Sequence, residues 1–327
     1  MSGFLPVRRR AVPQGSSPAA RACMAMRALV SAEKMSVGGQ AVIEGVMMRS
    51  PKLISTAVRR PGGDIAVRTT PYVSVSKRHK LLGLPVIRGA IVLIETLSLG
   101  ISSLAYSAEE ALREDDAGDA AEATDKKNPR EAITKLSLTL TVIVAVVLGL
   151  ALFFYLPLLA AELTGLKSGF WFNLVDGLVR LAIFILYVSL IGLWSEMRRL
   201  YQYHGAEHKS THAFEAGEEL TPDNAMKYTT LHPRCGTSFL LMVVVVSLVV
   251  FIALGRPESW GERGIRFLAI PLIAGVAFEL TKLSGKYAKS ALGAALIAPG
   301  LWLQRITTKE PTREQVEVAL KALKEAL

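Results

Sequence analysis

The sequence predicts a mainly α-helical membrane protein, with about four transmembrane helices, a small β-rich N-terminal subdomain on the cytoplasmic side and amphipathic or re-entrant helices. Three observations carry this expectation. Of 327 residues, 51% are hydrophobic, and the mean hydropathy is +0.35. The apolar residues gather in blocks, and with aromatics at only 7% the blocks are aliphatic, as lipid-facing helices prefer. From Leu136 to Ala161 no residue is charged, and about 21 residues of helix already cover about 31 Å, a bilayer core.

Residues 1–36 are basic, with Arg8-Arg9-Arg10 before a Pro/Gly/Ser/Ala stretch. No continuous apolar core follows, so a secretory signal is not expected. A disordered extension, or a start placed upstream of Met35, fits the composition. Residues 37–80 read as β structure: short apolar runs surround Glu44-Gly45, and Pro61-Gly62-Gly63-Asp64 separates two strand-like segments. Gly38-Gly39 and Gly45 read as tight turns, since no strand-to-helix phosphate loop follows them. Residues 81–106 are apolar but carry Arg88 and Glu95, which predicts an interfacial helix over residues 81–113. Residues 114–131 hold seven acids and three bases and form a solvated linker.

The membrane domain covers residues 132–304. After Leu136–Ala161 come Phe170–Trp194, containing Asn173, Asp176 and Arg180, and the uncharged Gly236–Gly255. Gly264–Leu280 is weaker, because Arg266 and Glu279 leave 12 uncharged residues between them, a length that also fits a re-entrant segment. Ser290–Gln304 has Pro299-Gly300 in its middle and is short for a span. Asp176 and Arg180, four apart, are expected to pair inside the bundle. Glu279 reads equally as a ligand reaching the loop or as a snorkelling acid. Residues 305–327 form an amphipathic helix, with a Thr312/Gln315 capping box and Val316, Leu320, Leu323 and Leu327 on one face.

The net charge of +10 suggests polyanions, but no aromatic-interleaved basic patch exists for stacking bases, so nucleic acid is not expected. An anionic bilayer surface accounts for the same charge. Basic residues concentrate in the loop 195–235 and after the fourth block. That bias predicts a cytoplasmic-membrane protein with this loop and both termini in the cytoplasm. Cys23 and Cys235 form no disulfide framework, and Cys235 is expected reduced.

Four of the five histidines lie in that loop: His204, His208, His212 and His232. His204-Gly205-Ala206-Glu207-His208 places two imidazoles four residues apart, on one face of a helix, where both reach one ion. Glu207 sits beside them as a candidate general base. His212 extends the face, and His232 with Cys235 adds an imidazole and a thiol of zinc-binding type. The five candidate ligands are therefore His204, His208, His212, His232 and Cys235. A polar loop whose histidines cap helix ends or meet lipid phosphates is the plainer alternative.

Gly38 to Arg49 (GGQAVIEGVMMR), His204 to Lys209 (HGAEHK), Leu231 to Ser238 (LHPRCGTS) and Pro299 to Gln304 (PGLWLQ), with Thr307-Thr308 and Glu310-Pro311, appear in this order. Together they resemble the signatures of the YqhQ-like family of bacterial membrane proteins, over roughly residues 37–325. The resemblance implies a domain of unknown function labelled as a metal-dependent enzyme of the bacterial inner membrane, with no settled substrate.

Two functions from different classes follow. One is a zinc-dependent, membrane-embedded hydrolase with its site at the cytoplasmic face and a membrane-associated substrate. The other is a non-enzymatic assembly or regulatory protein that binds a protein partner, with a structural metal or none. A transporter built on Asp176, Arg180 and Glu279 fits less well, since four spans without internal repeats are few for a carrier.

Overall fold

The computed structural model describes residues 37–77, 81–113, 129–287 and 290–327. The expectations for residues 1–36 and for most of the linker lie outside them. Strands β1 (Gly38–Val42), β2 (Gly45–Arg49), β3 (Leu53–Arg59) and β4 (Ile65–Pro71) form an antiparallel meander in sequence order. The β3–β4 turn uses Pro61-Gly62-Gly63-Asp64: Arg59 pairs with Ile65, and Gly63 takes φ +93°. At the β1–β2 turn Val42 pairs with Gly45, leaving Ile43 and Glu44 as the loop, with Glu44 at φ +52°. That backbone costs a non-glycine residue about 1–2 kcal/mol. The Glu44 carboxylate offsets it by accepting Arg199 Nη2 at 2.6 Å and the Tyr203 hydroxyl at 3.3 Å. The turn is thereby tied to the helix that bears the histidines.

Both faces of the sheet are covered. Alternation along β2 sends Met47 to one side, where with Val42 and Ile54 it packs on Leu99 and Leu104 of α1 (Ile87–Ala111). Val46 and Met48 point the other way, with Ala57, into the largest core. That core adds Tyr203, Ala206 and Phe214 of α5 (Ser195–Glu215) and Val316, Leu320 and Leu323 of α11 (Arg313–Ala326). The 195–235 segment is thus mostly one 21-residue helix. The C-terminal helix, closed by its Thr312/Gln315 capping box, lies against the sheet.

The apolar helices follow as α2 (Pro129–Leu150), α3 (Leu156–Leu163), α4 (Gly169–Ile191), α7 (Gly236–Leu254), α8 (Trp260–Leu268), α9 (Ile270–Lys286) and α10 (Ala291–Thr307). A short α6 (Pro222–Met226) lies between α5 and α7. Ala151–Tyr155, joining α2 to α3, is a π-helical turn. Pro157 offers no N–H to the turn before it, which favours the wider spacing.

Among the described residues, five stretches are long and apolar enough to cross a membrane: Ile87–Ala111, Leu140–Leu163, Gly169–Ile191, Gly236–Leu254 and Trp260–Ser284. This is one more than expected, and the addition is α1. Its charges are met by protein. Arg88 Nε donates to Glu279 Oε1 at 2.6 Å, and Glu95 accepts the Tyr72 and Ser74 hydroxyls, both at 2.8 Å. Gly89 packs on Gly275 of α9, whereas the later half of α1 covers the sheet. The α8–α9 stretch runs longer than its charges suggested. Arg266 is 2% exposed and donates to Asn173 Oδ1 at 2.6 Å and to the Gly255 carbonyl.

Asp176 and Arg180 face the bundle interior. Arg180 Nη2 donates to Asp176 Oδ2 at 2.8 Å, and Nη1 donates to Ser247 at 3.1 Å. Removing one member of such a pair leaves a buried charge without its partner. Asp176→Ala is therefore expected to cost about 3–5 kcal/mol. Thermal unfolding in detergent checks this, and Asp176→Leu/Arg180→Leu should lose less. An equal loss in both variants would show that the pair is not what matters there.

Candidate metal centre

Helix α5 leads with its third to fifth turns into the site. His204 and His208, one turn apart, bring their ring centroids to 4.5 Å. His232 enters from the segment before α7, its ring 5.6 Å from that of His208 and 4.7 Å from that of His212. Four imidazoles thus run in the order His204, His208, His232, His212. Gln304 of α10, fully buried, fixes the incoming segment. Its Oε1 accepts the His232 amide at 2.8 Å, and its Nε2 donates to the His232 carbonyl at 2.9 Å.

Backbone carbonyls select the tautomers. His204 Nδ1 donates to the Thr307 carbonyl at 2.8 Å, His208 Nδ1 to that of Thr230 at 2.5 Å, and His212 Nε2 to that of Leu231 at 2.9 Å. A carbonyl only accepts, so each of these nitrogens carries the proton and the other ring nitrogen presents its lone pair. His204 Nε2 lies 3.1 Å from Cys235 Sγ. His208 Nε2 is buried, with no partner within hydrogen-bonding geometry among the described residues and the Cys235 thiol as its electrostatic neighbour. Cys235 is the N-cap of α7, its sulfur accepting the Thr237 amide at 3.4 Å. The ligand atoms of His204, His208 and Cys235 all lie within 4.8 Å of one another, and those of His212, Glu215 and His232 form a second such group. Burial, with His204 beside it, lowers the His208 pKa against the opposing pull of Cys235, in the direction of the neutral ring that ligates.

Glu207, three residues after His204, lies at the edge of the histidine face of α5. Its side chain is buried against β1, where it meets the Gly39 amide; a Cβ at Gly39 would run into the Met47 carbonyl oxygen and would also crowd Glu207. Burial raises its pKa, against the opposing pull of His204 and His232. Glu207 belongs to neither ligand group; the acid that joins the histidines is Glu215. Burial works against the Glu215 carboxylate, but its bonds to His232 and Arg234 outweigh this and hold its pKa below the usual range. Glu215 is absent from the sequence-based ligand set, though His212-x-x-Glu215 is a same-face spacing. Lys209 is buried and donates to the Met226 and Tyr228 carbonyls at 3.0 and 2.7 Å, steadying the segment that supplies the Thr230 carbonyl.

The architecture is that of a helical protein with membrane-type spans, capped by a helix-covered sheet and carrying a His/Cys-rich ligand cluster. The chain belongs to the family described as "Protein of unknown function (DUF1385)", which it matches over residues 84–327. It is 32% identical over 295 residues to "Uncharacterized protein YqhQ" of Bacillus subtilis (strain 168), covering 89% of this chain and 92% of that one. No solved structure matches it.

Proposed function

We propose that the chain is a membrane-bound metal-dependent hydrolase, with zinc held by His204, His208 and Cys235 at the cytoplasmic face of the cell membrane. The observation that carries this is the buried, unpartnered Nε2 of His208, aimed by a backbone carbonyl and grouped with a second imidazole similarly fixed and a thiol. Partners of this kind on the far ring nitrogen are what orient metal-ligating histidines. Two imidazoles and a sulfur suit zinc, and three protein ligands leave a fourth position for substrate. When bound there, such an ion supplies Lewis acidity to an ester or amide carbonyl.

The chain's own residues do the rest. Thr307 and Thr230 hold the two rings, and the Gln304 clamp on His232 brings in the segment that ends in Cys235. Glu207, three residues from His204 and electrostatically coupled to His204 and His232, is the proton acceptor in this reading. Cys235 lies directly before the apolar α7, which puts the centre beside a candidate span and suits a membrane-associated substrate.

Glu207→Gln is expected to leave the metal content of detergent-purified protein unchanged while reducing hydrolysis of ester and amide substrates at least ~100-fold. Loss of metal in this variant would mean that Glu207 is not acting as a base. The burial of His208 and Cys235, 2% and 6% exposed, also suits a structural ion in a non-enzymatic assembly protein. Wild-type protein that holds metal but hydrolyses nothing would favour that alternative.

Orientation has its own test. Glu218 and Glu258 lie beyond opposite ends of α7. A cysteine at Glu258 should react with a membrane-impermeant thiol reagent in intact cells, and one at Glu218 should not. The reverse pattern would invert the topology.

A further inference from the structure

The centre proposed above uses three of the six clustered ligands, and the other three have a geometry of their own. We infer that His212, Glu215 and His232 form a second divalent-cation site, distinct from the thiolate centre and suited to a harder ion. This goes beyond the single-ion reading and draws on different residues.

His212 and Glu215 are three apart on the last turns of α5, so their side chains share a face. His212 is held on both sides. Nε2 donates to the Leu231 carbonyl at 2.9 Å, and the ring stacks on Tyr228 at 5.9 Å with 15° between planes. The proton on Nε2 leaves Nδ1 as its ligand atom. Glu215 is gripped from outside by the half-exposed Arg234 guanidinium. His232 is 4% exposed, and its backbone is clamped by Gln304.

The spacing between His232 and Glu215 is the telling quantity. His232 Nε2 lies 3.3 Å from Glu215 Oε1 and 3.4 Å from Oε2. That is long for an N–H···O bond, which clusters near ~2.9–3.0 Å. It matches two ligand atoms each ~2.0–2.1 Å from a tetrahedral ion, which stand roughly 3.3–3.4 Å apart. A cation placed between these atoms replaces the ring proton. Arg234 N donates to His232 Nδ1 at 3.3 Å, so that proton now sits on Nε2. On ion binding it moves to Nδ1, and the long Arg234 contact is given up.

The donor sets differ in chemistry. His204, His208 and Cys235 include a sulfur and favour soft or borderline ions. His212, Glu215 and His232 offer two nitrogens and a carboxylate, which accept zinc and also manganese or ferrous iron. The two sites meet where the His208 and His232 rings approach to 5.6 Å.

The experiment uses full-length protein in detergent, stripped with chelator and then saturated with cobalt(II) or manganese(II). Elemental analysis counts the ions, and the thiolate-to-cobalt charge-transfer band reports the first site alone. Wild type is expected to take two cobalt ions per chain. His212→Ala and Glu215→Gln should each take one and keep the band, whereas Cys235→Ser should take one and lose it. Manganese should bind at one site and survive Cys235→Ser but not Glu215→Gln. A wild type that takes one cobalt ion with the band intact, unchanged by His212→Ala and Glu215→Gln, overturns the second site and leaves the thiolate centre standing. Two ions in the His212→Ala and Glu215→Gln variants likewise overturn it. One ion in wild type without the band, abolished by Glu215→Gln, keeps the second site and overturns the first.

Discussion

Alanine at both His204 and His208 is expected to strip the purified chain of the ion at its thiolate centre while leaving its membrane insertion intact. The two imidazoles are two of the three ligands grouped with Cys235. A single remaining thiol cannot hold an ion against water, so loss at that centre should be complete and not graded, with at most the ion of the His212/Glu215/His232 group remaining. Neither residue lies in a stretch long and apolar enough to span, so insertion does not depend on them. The substitutions also free the Thr307 and Thr230 carbonyls, each losing its donor at a cost of about 1–3 kcal/mol if no water replaces it. Elemental analysis of detergent-purified protein, beside the amount of chain in the membrane fraction, measures both effects. Full metal content in the double variant would place the ion elsewhere.

The parts of this architecture that were legible in the sequence are those set by near neighbours. The β3–β4 hairpin could be read because Pro61, Gly62 and Gly63 have few other uses, and Gly63 does take a positive φ. The C-terminal helix could be read from its capping box. His204 and His208 could be paired because a period of 3.6 residues puts i and i+4 on one face. What stayed hidden depends on distant segments. Nothing local says that Val316, Leu320 and Leu323 meet Val46 and Met48, or that α1 turns its later half onto the sheet. Glu215 carried no signal of its own, because its partners His232 and Arg234 return from a later segment. Gln304 closes the last apolar run, and its clamp on the His232 backbone spans 72 residues of sequence. Counting charges also understated the spans: Arg266 shortened one apolar stretch on paper and Arg88 argued against another, yet each is met by a partner inside the fold.

Gly205 joins the local and the distant most tightly, and Gly205→Ala is expected to lower stability and metal affinity together. In a helix interior, alanine is ordinarily better than glycine by about 1 kcal/mol. Here the gain is reversed. A Cβ at residue 205 would run into the Lys309 carbonyl oxygen and would come within 3.2 Å of Thr230 Cγ2. The Lys309 carbonyl is backbone, and its segment is pinned to α5 because Lys309 N donates to the Tyr201 carbonyl at 2.9 Å. It cannot swing aside as a side chain could, so the segment must move. Overpacking of this kind costs about 1–3 kcal/mol. Two residues before Lys309 is Thr307, whose carbonyl holds His204 Nδ1, and Thr230 supplies the carbonyl for His208. The Thr307 contact lies on the displaced backbone and Thr230 is crowded by the same Cβ, and loss of such orienting contacts typically weakens metal binding by about 10–100-fold. Gly264→Ala is the control, since a Cβ on that α8 glycine meets nothing within 4 Å and should be neutral or slightly stabilising. Thermal unfolding and a competitive zinc titration on both variants measure the two effects. Gly205→Ala protein as stable as Gly264→Ala, with wild-type zinc affinity, would show that the C-terminal segment does not set the geometry of the centre.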